Sequence, residues 1–84
     1  MTTTSSQITV TTTAGILVPQ ATQYQEVTVH STATVYLGGS TVSTTNGFKI
    51  DNGDKLKFTI APHTDLYAVA NSGTPIVYTL TTVL

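Results

Sequence analysis

The chain has 84 residues, no cysteine, and charged side chains at only 8% of its positions, for a net charge of −1. A domain this short buries about 60% of the surface its unfolded chain exposes, and without cysteine it has neither a disulfide framework nor a thiolate-held zinc to reinforce it. The only cations, Lys49, Lys55 and Lys57, are too few to build a face for phosphate, which excludes nucleic acid as a partner.

Other exclusions follow from pattern. No apolar run approaches the ~20 residues of a membrane helix, so no membrane partner is expected. The opening Met1-Thr2-Thr3-Thr4-Ser5-Ser6 has no basic region followed by an apolar stretch, so it does not read as a secretory signal. Low charge weakens the repulsion that keeps copies of a protein apart. A small unstapled domain also gains stability by docking on other protein. Both features point to a surface that lives against protein.

In chain order, residues 1–6 are rich in threonine and serine, carry no apolar anchor, and are expected to form a flexible arm. Period-2 alternation then marks Gln7–Thr11 as a strand with Ile8 and Val10 inward, and Glu26–His30 as another with Val27 and Val29 inward. Ala33–Leu37 is apolar on both faces, which suits a central or interface strand. The turn signals Gly38-Gly39-Ser40 and Asn46-Gly47 follow, the second suited to a type I′ hairpin. Asp51-Asn52-Gly53-Asp54 is a further turn. It precedes the strict alternation of Lys55–Ile60, which sets Leu56, Phe58 and Ile60 inward.

Pro62–Asp65 turns the chain into Leu66–Ala70, again apolar on both faces. After Asn71–Pro75, the run Ile76–Leu80 is expected to place Ile76, Tyr78 and Leu80 inward. The expected core is Val27, Val29, Val35, Leu37, Leu56, Phe58, Ile60, Val69, Ile76, Tyr78 and Leu80. No stretch has helical periodicity, and turns recur at a spacing of about ten residues. The predicted fold is therefore all-β: a small antiparallel β-sandwich or partly closed barrel of about seven to eight short strands. Residues 7–84 form its single domain.

Catalytic chemistry is sparse. His30 and His63 match no metal-ligand spacing and read as a solvated strand-end and turn residue, so no metal is expected. Asp51–Asp54 lacks the twelve-residue ligand pattern and closing glutamate of a calcium loop, whereas Asp, Asn and Gly are ordinary turn formers. There is no Gly-x-Ser-x-Gly elbow and no phosphate-binding glycine loop, and nothing brings Glu26 together with Asp54 or Asp65. Neither enzyme activity nor a cofactor is expected. Tyr67 and Tyr78 read as core or half-core residues. Tyr24 and Tyr36 are the better interface candidates, because their strand neighbours supply the inward faces. With the arm residues Thr2, Thr3, Thr4, Ser5 and Ser6, they make up the candidate interface.

The run Val35-Tyr36-Leu37-Gly38-Gly39-Ser40-Thr41-Val42, continued by Asn46-Gly47-Phe48-Lys49-Ile50, Gly53-Asp54-Lys55-Leu56 and Asp65-Leu66-Tyr67-Ala68-Val69-Ala70-Asn71-Ser72-Gly73-Thr74, resembles small virion proteins of tailed bacteriophages. The likeness spans residues 24–84 and lies in the order of the pieces. It implies a capsid decoration protein on the outer surface of the virion, without enzymatic activity. Its implied partners are the major capsid protein and copies of itself, as in a trimer. Two alternatives are a carbohydrate-binding or host-adhesion module that uses Tyr36 as a stacking platform, and a tail or baseplate component.

Overall fold

The computed structural model describes residues 2–84. The expected all-β architecture is present: eight strands in two four-stranded antiparallel sheets. The strands are β1 (Thr2–Thr9), β2 (Gly15–Val18), β3 (Gln25–Ser31), β4 (Val35–Gly38), β5 (Phe48–Ile50), β6 (Lys55–Ile60), β7 (Leu66–Ala70) and β8 (Ile76–Val83). The first sheet has the order β1-β8-β3-β6 and the second β2-β7-β4-β5. The runs apolar on both faces, β4 and β7, are the two central strands of the second sheet, as their composition requires. Among the described residues, no helix is long and apolar enough to cross a membrane.

The core forms between the sheets from the inward set of each strand: Val27 and Val29 of β3, Val35 and Leu37 of β4, Ile60 of β6, and Val77 of β8. Ala68 and Ala70 of β7 and Ile50 of β5 complete the facing layer. A register shift in β2 between Ile16 and Val18 lets two consecutive residues, Leu17 and Val18, both turn inward. Leu56 and Phe58 are only partly buried, because β6 is an edge strand beside an open cleft. Val69 is buried, but it faces away from this core, on the outer side of the second sheet beside Tyr36.

Three expectations are corrected. First, β8 has the opposite facing: Val77 and Thr79 are buried at 0% and 6% exposure, while Ile76, Tyr78 and Leu80 are exposed at 39%, 42% and 48%. Pairing decides this. β8 lies between β1 and β3, and its register sets Val77 beside Ile8 and Ser31, and Thr79 beside Ser6 and Val29, on the inner face. Second, the arm is no free segment. Residues 2–6 extend β1, paired from Thr2↔Val83 to Ser6↔Thr79; Met1 lies outside the described residues. An extended threonine-rich segment beside a long partner strand has the backbone groups on its β8 side paired by the ladder and those on its other side open.

Third, Asn46-Gly47 is no type I′ turn, since neither residue has a positive φ. Instead the Asn46 side chain accepts a hydrogen bond from Ser43 N (2.8 Å), and Gly47 N donates to the Ser43 carbonyl (2.9 Å). The resulting loop packs Val42 against Gly38 and Gly47.

Candidate assembly surface

An antiparallel sandwich leaves four edge strands, and unguarded edges invite pairing with other chains. Three of the four are guarded here. β5 has three residues; β2 has four, is interrupted by its register shift and is followed by Pro19. β6 points Lys55 and Lys57 to solvent, which guards it against pairing with a like-charged edge. By contrast, β1 runs for eight residues without a charge, proline, glycine or register break, and Thr2–Gln7 are all exposed. Five of the predicted interface residues, Thr2, Thr3, Thr4, Ser5 and Ser6, lie on this open edge.

The outer face of the first sheet adjoins that edge. Ile76, Tyr78 and Leu80 form an apolar row along β8, flanked on β1 by Thr9, Gln7 and Ser5 and on β3 by His30 and Thr28. Around Tyr78 these residues line a shallow depression with a mixed polar and apolar wall. Among the described residues nothing covers the row, because the second sheet packs on the other side.

A third feature lies at the opposite lateral side of the sandwich. Between β6 and the β4–β5 hairpin an apolar cleft opens, lined by Leu37, Phe48, Leu56, Phe58 and Leu66, with Phe48 exposed at 61%.

The two predicted tyrosines stand apart from one another. Tyr24 is exposed just before β3, at the end of the first sheet where β1 begins, and its carbonyl accepts a hydrogen bond from Leu84 N (2.9 Å). Tyr36 is on the outer side of the second sheet, half-buried between register neighbours Lys49 and Val69, with Gly47 against its Cβ.

Several polar side chains serve the fold. Asp54 Oδ2 accepts a hydrogen bond from Asp51 N (2.9 Å), closing the turn at Gly53, whose φ of 85° suits glycine. Asp65 Oδ1 accepts one from Gln20 N (2.6 Å). The buried Gln25 donates to the Pro19 carbonyl (3.0 Å), and Ser31 exchanges hydrogen bonds with Ala33. Two exposed ion pairs join Lys57 to Glu26 (3.0 Å) and Lys49 to Asp51 (3.7 Å). Among the described residues, no three of His, Cys, Asp and Glu gather as a metal site would require.

The sequence singles out Thr2–Ser6, though as a flexible arm and not as a strand edge, and passes over the β8 row and Phe48. The row had a visible counterpart: Val77, Thr79, Thr81 and Val83 make an inward set as regular as Ile76, Tyr78 and Leu80, and both sets suit a strand. Phe48 gave no such sign, because a lone aromatic after a turn reads equally as core.

No protein-family model and no curated protein matches the chain. Its fold is similar to that of a solved chain from Bacillus endospore appendages, described as "a novel family of disulfide-linked pili". The TM-score is 0.66 and the identity 17%, over 99% of this chain and 86% of that one.

Proposed function

We propose that the chain is a non-enzymatic structural subunit that assembles with copies of itself by strand addition at β1. The observation that carries this is the unguarded eight-residue edge in a sandwich whose other edges are short, interrupted or lysine-bearing. The low charge and the uncovered β8 row support it, since both favour contact with other protein. The sandwich it shares with a pilus protein is compatible with polymer formation. These 84 residues hold no cysteine, so their joints would be non-covalent and indifferent to reductant, unlike the disulfide-linked pili. Sedimentation and negative-stain imaging across a concentration series, with and without reductant, test the reading. Reductant-independent assemblies are expected; a protein that stays monomeric throughout would refute it.

A second reading is favoured by the ordered run from Val35 to Thr74: a decoration protein that cements the major capsid protein lattice on the outside of a phage head. In that case the β1 edge and the β8 row would meet the capsid. Saturable, stoichiometric binding to isolated capsid shells would separate this role from self-assembly alone.

A further inference from the structure

The two lateral sides of the sandwich are unlike. On one side β1 and β2 flank an opening of about 320 Å³, lined by Thr4, Ser6, Ile8, Leu17, Pro19 and Val83 among others. On the other side β6 and β5 flank the apolar cleft of about 300 Å³ at Phe48. Every neighbouring pair in the first sheet is antiparallel, and the sheet has an even number of strands, so β1 and β6 run in opposite directions. A copy set alongside in the same orientation therefore brings its β6 antiparallel to β1, and the alternation continues across the joint. The second sheet has the same parity between β2 and β5.

Three pairings of the first sheet's edges can be compared. Joining β6 to β6 of another copy opposes Lys55 and Lys57 with the same lysines, and like charges across a strand pair repel. Joining β1 to β1 opposes only neutral side chains, but it leaves the Phe48 cleft of both copies open to water. Joining β1 to β6 sets the lysines against the uncharged Thr3, Ser5 and Gln7 and covers the cleft in the same movement. On this basis we infer that copies join head to tail: β1 of one continues the sheet at β6 of the next, and the β1–β2 side closes the apolar cleft around Phe48. The inference rests on the self-assembling role proposed above and specifies its joint. Such an interface is heterologous and leaves a free β1 at one end and a free β6 at the other, so it propagates. The twist of about −20 to −25° per strand turns each copy relative to the last, and the product is a helical stack.

The test exploits the absence of native cysteine. Ser5→Cys and Lys57→Cys lie on the outer sides of β1 and β6, both exposed. The two single variants are mixed and treated with a bismaleimide whose reach of about 8 Å also spans diagonal neighbours. Products are identified by peptide mapping. Products joining position 5 to position 57 are expected to dominate. In parallel, Phe48→Ser is expected to raise the concentration needed for assembly at least tenfold with the circular-dichroism spectrum retained. Assembly that yields 5-to-5 products without 5-to-57 products, or neither, would overturn the head-to-tail joint and leave self-assembly standing. Unmodified protein that never associates would overturn both.

Discussion

On the solvent side of the first sheet, the ring of Tyr78 meets that of His30 edge to face, with centroids 5.9 Å apart and planes at 84°. The two are register partners on β8 and β3 and stand on the same outer face. With Tyr78 outward, Val77 and Thr79 must turn inward, and both are buried. The strand thus exposes its largest side chains and buries a valine and a threonine. In a strand with neighbours on both sides, that arrangement leaves an apolar row available to another surface.

The facing of β8 predicts a reversal of the usual size rule. Val77→Ala removes two methyl groups from a site with no exposure and should cost about 2–3 kcal/mol. Tyr78→Ser removes a larger side chain from the surface and should cost about 1 kcal/mol or less, mainly through the lost contact with His30. Urea denaturation of both variants gives the comparison. A Tyr78→Ser loss exceeding that of Val77→Ala would mean that β8 faces the other way.

Much of this fold is legible in the sequence, and the exceptions share a cause. β3 and β6 alternate apolar with polar residues, so only one facing buries their apolar set; both are as expected, with Val27, Val29 and Ile60 buried. β8 carries β-formers on both faces, so composition cannot choose between registers one residue apart, and its partners β1 and β3 choose instead. The Thr2–Ser6 segment has no apolar residue to announce a strand. Its pairing is supplied by the eight-residue length of β8, which is a long-range fact. The short β2 and β5 give too few residues for a period to show.

Gly47 and Gly39 should respond in opposite ways to alanine. A Cβ at Gly47 would stand 2.6 Å from the Tyr36 Cβ and 2.9 Å from the Ser43 carbonyl oxygen, where nothing flexible can yield. Gly47→Ala should therefore cost about 1–3 kcal/mol, as overpacking does. At Gly39 a Cβ meets nothing within 4 Å, and φ is not positive. Gly39→Ala should leave the thermal midpoint unchanged or slightly raised. Equal responses at the two positions would remove the packing of the Gly39–Gly47 loop against Tyr36 as the cause.

His63 is the one non-glycine among the described residues with a positive φ, 59°, and its backbone N donates to the Ala21 carbonyl (2.8 Å). The left-handed conformation is tolerated by histidine but strained for a β-branched residue. His63→Val should therefore cost about 1 kcal/mol or more, whereas His63→Gly should be close to neutral, because relief of strain is offset by a more flexible unfolded chain. Thermal melts of the two variants check the order. A valine variant as stable as glycine would argue against the conformation of this turn.

The β1 edge makes the last prediction, which separates a change to the edge from loss of the strand. Ser5 is exposed, faces outward and lies opposite Leu80. Lysine there can keep its charge in water and its backbone in the β1–β8 ladder, so Ser5→Lys should fold with an unchanged urea midpoint. In a β1–β6 joint a lysine at position 5 would stand against Lys55 and Lys57 of the next copy, and like charges across a strand pair repel. Assembly of Ser5→Lys should accordingly weaken about tenfold or more in sedimentation velocity. Deletion of residues 1–6 is a different experiment. It removes the pairs from Thr2↔Val83 to Ser6↔Thr79, leaves Thr79–Val83 as a raw edge, and uncovers one flank of the Tyr78 row. The deletion should lower stability as well as β-sheet content, so a defect in its assembly would not isolate the role of the edge. If Ser5→Lys assembles as the parent chain does while folding normally, strand addition of β1 to β6 is excluded. The apolar row on β8 would then be the surface to substitute next.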